Sequence, residues 1–225
     1  MSDPRDFQPG PYASPPCFMH ELDENFRPRE HADESAWRDV ARWRKTERER
    51  LIAARMALAS GEREVLTAAL VEQVAAAVGD PAGQIVSLYW PFKGEPDLRP
   101  LIDTVIKGGG EIALPVVIEK GRPLAFRTWA PGEPLERGVW KILVPAAGRT
   151  VHPTVVISPV VGHDEGGYRL GYGGGFYDRT LASLPRKPRV IGIGYSMAAI
   201  RSIYPQPHDI PMDMIVTEKG PARKS

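Results

Sequence analysis

The chain has 225 residues, of which 42% are hydrophobic and 25% charged, the mixture typical of a soluble globular protein. Its 29 lysines and arginines balance 28 aspartates and glutamates, and this near neutrality argues against a general nucleic-acid binder. The single cysteine, Cys17, excludes an intramolecular disulfide and a cysteine-cluster metal site. We expect a cytoplasmic protein without a membrane partner, because neither an apolar signal segment nor a run of roughly 18 apolar residues occurs.

The first 34 residues are rich in proline, aspartate, glutamate and arginine and poor in aliphatic side chains. Prolines at positions such as Pro9, Pro11, Pro15 and Pro16 interrupt any regular element. The composition predicts an extended N-terminal arm over 1–34, followed by a single α/β domain over 35–225.

Two amphipathic helices are predicted next. Apolar residues at helical spacing indicate a first helix over 36–58. A second follows over about 61–78, with Ser60 as its N-cap and Gly79 at its end. Its apolar face is predicted to consist of Val65, Leu66, Ala69, Leu70, Val74 and Val78.

Strands and helices then alternate along the chain. The predicted helices span 97–107 and 173–184, and the predicted strands span 84–90, 111–118, 124–129, 139–144, 154–161, 189–195 and 214–217. Such alternation implies right-handed crossovers, and near-continuous apolar strands fit a sheet covered on both faces. The predicted fold is therefore α/β: a three-layer, Rossmann-like, mainly parallel sheet flanked by helices, with an N-terminal helical pair.

A glycine-rich segment, RLGYGGGFYD at 169–178, leads into the helix predicted over 173–184. Four glycines in five positions allow close approach of the backbone to a ligand, and free N–H groups at a helix start attract anions. The segment is neither a dinucleotide fingerprint, because Phe176 replaces the last glycine, nor a Walker A loop. Phosphate binding and a tight turn packed on the sheet both remain open.

Two aspartates and three arginines are further candidates. Asp178 and Asp213 could ligate Mg²⁺ together with phosphate oxygens, or could serve as a helix first-turn charge and a strand-capping turn residue. Arg44, Arg48 and Arg55 lie four and seven residues apart, so they share one helix face. That face could bind phosphate, but the residues alone favour a solvated face paired with Glu47 and Glu49.

Aromatic and acidic side chains follow the first predicted strand in the segment YWPFKGEPD at 89–97. Trp90 could stack on a heterocycle, and Glu95 could accept hydrogen bonds from ring N–H groups. A proline-rich turn is the alternative. Trp129 and Trp140 could line the same pocket or serve as packing residues. The five histidines show no metal-ligand spacing, so we expect each to be structural or exposed.

Together these segments resemble the 5-formyltetrahydrofolate cyclo-ligase family. The resemblance rests on the glycine-rich segment, on YWPFKGEPDL at 89–98, on the tryptophan-containing segment at 131–142, on HDIPMDMIVTE at 208–218 and on the basic first helix. It covers about residues 37–220. It implies a monomer with a small-molecule folate substrate and ATP, which converts 5-formyltetrahydrofolate to 5,10-methenyltetrahydrofolate through a phosphorylated formyl (iminophosphate) intermediate, using Mg²⁺ and releasing ADP and phosphate.

The resemblance also implies residue roles, matched position by position. Arg169 and Tyr177 are expected in the catalytic centre, and Asp178 and Asp213 as Mg²⁺ ligands. ATP is expected to contact Arg44, Arg48, Arg169, Leu170, Gly171, Tyr172, Gly173, Gly174, Gly175, Phe176 and Tyr177. The folate substrate is expected to contact Trp90, Glu95, Tyr172, Gly173, Gly174, Gly175 and Phe176.

Three features depart from the family pattern. Arg44 stands where the family usually has lysine, Gly162 and His163 replace an apolar wall before the glycine-rich segment, and the arm over 1–34 has no counterpart. Two alternatives therefore stand beside the cyclo-ligase reading. One is an ATP-dependent enzyme acting on another formamide or heterocycle, and the other is a non-catalytic folate- or phosphate-binding module.

Overall fold

Four helices and twelve strands make up the part of the chain that the computed structural model describes, residues 32–222. The helices are α1 (Ala32–Ala57), α2 (Ser60–Val78), α3 (Pro100–Lys107) and α4 (Phe176–Ser183). The strands are β1 (Ile85–Ser87), β2 (Glu111–Val117), β3 (Leu124–Thr128), β4 (Leu135–Arg137), β5 (Leu143–Pro145), β6 (Thr150–Val151), β7 (Val155–Pro159), β8 (Gly162–His163), β9 (Arg169–Leu170), β10 (Arg189–Ile193), β11 (Met214–Thr217) and β12 (Gly220–Pro221).

The predicted arm falls almost wholly outside the described residues, and α1 already includes residues 32–34. The division into an arm and one domain therefore stays a prediction. None of the described helices is long and apolar enough to cross a membrane.

The central sheet has eight strands in the order β12-β11-β10-β7-β1-β2-β3-β6. Strands β11, β10, β7, β1 and β2 run parallel, while β12, β3 and β6 are antiparallel additions at the two edges. The five parallel strands thus end at one edge of the sheet, where α/β proteins usually bind ligands.

Helices cover both faces of this sheet, which confirms the predicted three-layer architecture. Alternate residues of β2 enter different cores: Ile112 and Leu114 join the cluster under α2 and α3, whereas Ala113 joins the cluster under α4. Helix α1 packs elsewhere, since Leu51 contacts a third cluster with Val161, Leu170 and Ile203. This placement brings α1 next to the glycine-rich segment.

The second helix differs from its prediction at two points. Ala59, with extended backbone angles, occupies the N-cap position, and the Ser60 hydroxyl contacts Glu64 at 3.1 Å instead of capping the helix. Val65 is 71% exposed, although Leu70, Val74 and Val78 are buried as predicted. Gly79 ends the helix with a φ of 72°, as expected for a C-terminal glycine.

The predicted strand over 139–144 is wrong in its first half. Residues Val139–Lys141 form a short 3₁₀ turn between β4 and β5, and Trp140 and Lys141 have φ angles of 55° and 61°. A left-handed backbone cannot continue an extended strand, so the chain turns back here.

Candidate functional site

A cavity of about 490 Å³ lies at the carboxyl ends of β1 and β7. Tyr89 and Trp90 follow β1 into its wall, and Pro159 is the last residue of β7. The other walls come from α1, from β2 and the start of β3, from the glycine-rich segment with the start of α4, from the β4–β5 hairpin and from His208 and Asp209.

The glycine-rich segment forms one wall through its backbone. Gly173 and Gly175 have φ angles of 90° and 61°, values that side chains other than glycine rarely adopt. Gly175 is the N-cap of α4, and no side chain among the described residues caps that helix. The first N–H groups of α4 therefore remain available to an anion, in line with the phosphate-binding hypothesis.

Arg169 and Asp178 form a buried ion pair beneath this wall. The Nη2 atom of Arg169 lies 2.8 Å from Oδ1 of Asp178, which also accepts a hydrogen bond from the backbone N–H of Ile210 at 3.1 Å. Nη1 of Arg169 donates to the carbonyl of the same Ile210 at 3.3 Å. Asp178 is thus held at the cavity wall by a fixed cation.

Tyr177 packs beside this ion pair. The guanidinium carbon of Arg169 lies 5.6 Å from the centre of the Tyr177 ring. Burial raises the pKa of Tyr177, nearby Glu95 raises it further, and Arg169 opposes both. The phenol therefore stays protonated at neutral pH, so it can donate a hydrogen bond to a ligand but cannot act as a base.

Arg44 is buried and holds other protein groups. Its Nη2 atom lies 2.5 Å from Oδ2 of Asp209 and donates to the carbonyl of Tyr204 at 2.8 Å. Its Nε atom donates to the carbonyl of Ile203 at 2.8 Å. Most of this guanidinium is therefore committed to the segment over 203–209, although the residue reaches the cavity wall.

Arg48, one turn further along α1, is half-buried and more available. The hydrogen bond that the described residues give it joins its Nε atom to the carbonyl of Gly171 at 2.7 Å. Burial and neighbouring Arg44 lower the pKa of Arg48, while Asp209 opposes this shift. The prediction of a solvated arginine face paired with Glu47 and Glu49 is wrong, since Glu47 instead pairs with Arg50.

Glu95 is a buried carboxylate that also lines the cavity. Its Oε1 atom accepts the Tyr172 hydroxyl at 2.9 Å, and its Oε2 atom accepts the backbone N–H of Phe92 at 2.8 Å. Burial raises the pKa of Glu95 to about 7, while Arg55 and these two hydrogen bonds oppose the rise. The carboxylate keeps acceptor positions for a ligand because it has about four lone-pair sites.

Aromatic rings surround the space between these groups. Trp90 lines the cavity and packs edge-to-face against Trp129 at 6.0 Å between ring centres, whereas Trp129 is a packing residue outside the wall. Trp140 is 59% exposed at the rim and packs against Phe176 with ring centres 5.7 Å apart. The cavity thus combines flat apolar surfaces with basic and acidic side chains.

Comparisons with known proteins agree on one family. Residues 40–218 match the model of the 5-formyltetrahydrofolate cyclo-ligase family. The chain belongs to that family. Enzymes named 5-formyltetrahydrofolate cyclo-ligase are similar to it in sequence: the protein of Escherichia coli K12 is 35% identical over 59% of this chain and 76% of its own length. That of Mycolicibacterium smegmatis is 31% identical over 61% and 75%.

Solved structures agree with the family assignment. The 5,10-methenyltetrahydrofolate synthetase of Aquifex aeolicus is 30% identical, with a TM-score of 0.69 over 79% of this chain and 91% of that chain. The synthetase of Mycoplasma pneumoniae shares the fold, with a TM-score of 0.66 over 78% and 98% at 24% identity. The protein is therefore an enzyme of folate chemistry, and the resemblance seen in its motifs is confirmed.

Two predicted residues of this cyclo-ligase lie away from the cavity wall. Asp213 precedes β11, where Oδ2 accepts the backbone N–H of Val190 at 2.8 Å and Oδ1 lies 3.3 Å from Nζ of Lys187. It is not among the described residues that line the cavity, unlike Asp178. His163 is buried in β8 and is also absent from that wall, so the departure at Gly162 and His163 does not contribute to the wall of the described cavity.

The contribution of the segment over 203–209 to the cavity wall was not predicted from the sequence. His208 and Asp209 both line the cavity of the cyclo-ligase, and Asp209 anchors Arg44. The available signal was the position of both residues in the same closing segment as Asp213. Nothing local to the sequence indicates that an α1 arginine pairs with a residue 165 positions later.

Proposed function

We propose that this chain converts 5-formyltetrahydrofolate to 5,10-methenyltetrahydrofolate with ATP and Mg²⁺, and releases ADP and phosphate. The observation that carries the proposal is one cavity lined by two chemically different sets of residues. Arg48, the glycine-rich backbone and Asp178 form the set that we propose as the phosphate end, and Trp90 and Glu95 form the set that we propose as the folate end. We further propose that the protein is a cytoplasmic monomer.

The phosphate end is suited to a nucleoside triphosphate. Arg48 supplies a cation with free donors, and the start of α4 supplies N–H groups and the positive end of a helix dipole. Gly173 lies next to Arg48, because a Cβ atom at Gly173 would stand 3.4 Å from the guanidinium carbon. The glycine-rich backbone and the arginine are therefore direct neighbours in the cavity wall.

The chain's donors fit Mg²⁺ that enters with phosphate oxygens. Among the described residues, no three acidic, histidine or cysteine side chains form a metal cluster. Mg²⁺ usually takes one or two carboxylates and completes its shell with phosphate and water oxygens. We propose Asp178 as a ligand, and Asp213 would join it only if its bonds to Val190 and Lys187 opened. When bound, the ion would neutralise charge on the transferring phosphoryl group.

The folate end is suited to a pterin. Trp90 offers an aromatic face, Glu95 can accept hydrogen bonds from ring N–H groups, and Tyr172 with the adjacent glycines borders both ends. Trp140, which is exposed, and its neighbour Phe176 extend the apolar surface toward the rim. A flat, partly polar heterocycle with an extended tail matches this surface.

The reaction then needs positioning more than a protein nucleophile. The formyl oxygen of the substrate attacks the γ-phosphorus of ATP, and ADP leaves. N10 attacks the formyl carbon of the resulting iminophosphate, loses its proton, and phosphate leaves as the ring closes. Arg48 and the α4 N–H groups would stabilise charge on the phosphoryl oxygens, while Arg169 fixes Asp178, and the Tyr177 phenol is placed to donate a hydrogen bond.

The test follows the ultraviolet absorbance of methenyltetrahydrofolate with purified protein and 5-formyltetrahydrofolate. We expect a rise that requires both ATP and Mg²⁺. Asp178→Asn should weaken the use of Mg·ATP, so that turnover falls and needs more Mg²⁺, while the protein stays folded. The matched control is Asp103→Asn, whose carboxylate pairs with Lys107 on the surface of α3.

Two outcomes would contradict the proposal. A flat trace from protein that Mg·ATP stabilises against heat would discard this substrate and point to another acceptor. A flat trace without any stabilisation would favour a non-catalytic module, because a ligand at about 100 times its Kd should add about 2.7 kcal/mol.

A further inference from the structure

Arg55 is a buried cation of α1 that the proposed reaction leaves without a role. Only 5% of the residue is exposed, and it does not line the cavity. Its Nε atom donates to the carbonyl of Lys93 at 3.0 Å, and its Nη1 atom lies 3.4 Å from the carbonyl of Val160. Its Nη2 atom lies 2.6 Å from the Tyr172 hydroxyl. One side chain therefore joins α1, the end of β7 and two cavity loops.

The hydrogen bonds from Arg55 run in one direction. A guanidinium can only donate, so the Tyr172 oxygen accepts from Arg55 and directs its own proton elsewhere. The nearest acceptor is Oε1 of Glu95 at 2.9 Å, closer than the carbonyl of Phe92 at 3.3 Å. Arg55 therefore donates to Tyr172, and Tyr172 donates to Glu95, a carboxylate of the folate end.

The loop that carries Glu95 is shaped to meet Arg55. Lys93 and Gly94 both have positive φ angles, of 47° and 72°, which turn the chain back toward α1. A Cβ atom at Gly94 would stand 3.6 Å from Cγ of Arg55 and 3.3 Å from Sδ of Met56. The turn at Lys93 and Gly94 therefore packs closely against Arg55 and Met56 of α1.

We propose that Arg55 is a positioning residue of this cyclo-ligase: its guanidinium holds the Tyr172 hydroxyl against the Glu95 carboxylate and joins the two loops that carry them. Helix α1 would then help to build the folate end of the cavity, although the sequence predicted only a phosphate-binding role for its arginines. The kinetic part of the inference rests on the proposed function.

The charge of Arg55 also favours the ionised form of Glu95. Burial raises the pKa of Glu95 to about 7, and Arg55 is the strongest influence opposing that rise. The other titratable groups that face Glu95 are Tyr89, Tyr172 and Tyr177, which are neutral at this pH because burial raises the pKa of each. Removing Arg55 should therefore shift Glu95 further toward its protonated form at neutral pH, in which it has less capacity to accept ring N–H groups.

The decisive experiment measures the titration of Glu95 directly, by NMR of protein labelled with ¹³C at the glutamate carboxyl carbons. Loss of one resonance in Glu95→Gln identifies the signal. We expect a midpoint near 7 in the wild type. Arg55→Met should raise the midpoint by about one pKa unit or more. Tyr172→Phe should raise it less, since Arg55 remains, and Arg55→Lys should restore most of the wild-type value.

Kinetics provide the second measurement. Arg55→Met should raise KM for 5-formyltetrahydrofolate roughly tenfold, because a charged hydrogen-bond chain is lost, with KM for ATP nearly unchanged. The controls are Arg42→Met, an exposed arginine of α1, and Tyr168→Phe, a tyrosine outside the cavity wall. Both should behave as wild type.

An unchanged Glu95 midpoint in folded Arg55→Met would overturn the inference. If that variant does not fold, an unchanged midpoint in Tyr172→Phe would overturn it equally. Absence of turnover in the wild type would defeat the proposed function instead, and the carboxyl titration would still decide the role of Arg55.

Discussion

The three arginines of the α1 face share one spacing yet have three different surroundings. Arg44 pairs with Asp209, Arg48 keeps free donors beside the glycine-rich segment, and Arg55 contacts the Glu95 network. The helical spacing predicted the common face, and it could not predict which arginine is committed to protein groups. That depends on the carbonyls and carboxylates that distant segments bring to each position.

The Arg44 pair leads to a stability prediction. Arg44→Met should lower the free energy of unfolding by roughly 3 kcal/mol, because the substitution leaves the Asp209 carboxylate in a mostly buried site without its partner. Arg44→Lys should recover only part of the loss, since an ammonium cannot reproduce the fork that contacts Asp209 and two carbonyls. Urea unfolding measures both changes.

Arg42→Met is the matched control for the Arg44 variants. It removes an exposed pair with Asp39 and should change stability by less than about 0.5 kcal/mol. Wild-type stability of Arg44→Met combined with a large loss of ATP affinity would show that Arg44 contacts phosphate instead.

Because the pKa of Glu95 is raised, we expect the stability difference between Glu95→Gln and wild type to depend on pH. Its pKa is raised from 4.5 to about 7 on folding, so between these values the unfolded chain is ionised while the folded chain retains the proton. Folding then binds a proton, and stability falls as pH rises through this window. Relative to wild type, Glu95→Gln should therefore become more stable from about pH 4.5 to 7 and level off above it.

Thermal unfolding of both proteins across this range measures the difference. A difference independent of pH would mean that Glu95 is ionised throughout, with an ordinary pKa. The turnover assay adds a separate expectation, since Glu95→Gln should raise KM for the folate substrate more than KM for ATP. Equal losses would argue that Glu95 is structural.

At the scale of elements, the helices and the strands of four or more residues were predictable, whereas the shortest strands were not. The pattern located β11 at Met214–Thr217 and came within one residue of the end of β2. It missed β6, β8, β9 and β12, each of two residues, and also β4, because so few positions cannot display an alternation. The sequence pattern predicted the start of α4 at residue 173, which is too early. The helix begins at Phe176, because Gly175 still has a left-handed φ of 61°.

The glycine-rich segment permits a paired test of backbone conformation. Gly173→Ala should destabilise the protein by about 1–2 kcal/mol, since φ is 90° there, and should weaken ATP binding because the new methyl group contacts Arg48. Gly171→Ala has no atom within 4 Å of the added Cβ and no positive φ, so its stability should stay near wild type.

Thermal unfolding and ATP titration of the two variants separate strain from ligand contact. A loss of ATP affinity in Gly171→Ala without loss of stability would indicate that ligand approaches the backbone at that position. Equal stability of Gly173→Ala and wild type would show that the turn adapts to a side chain without cost.

At the scale of the whole molecule, the sequence predicted the groups of the site better than their arrangement. The glycine-rich segment, Trp90 and Glu95 were identified from local patterns, and they do meet in one cavity. The ion pairs of Arg44 with Asp209 and Arg169 with Asp178, and the network from Arg55 to Glu95, join segments through the tertiary fold. Periodicity reports which face of an element is apolar and carries no information on such pairings.

Residues 1–31 precede both α1 and the part of the chain that the family model matches. The described walls of the cavity begin at Arg44 and end at Asp209, and the family model matches residues 40–218. Deleting residues 1–31, just ahead of α1, should therefore leave kcat and both KM values within about twofold of wild type, a change of under 0.5 kcal/mol. A deletion of 1–48 serves as the contrast, because it removes Arg44 and Arg48 and should abolish turnover. A large rise in KM for either substrate after the shorter deletion would show that the segment contributes to the site. In that case the site is built by more of the chain than the family-matching part.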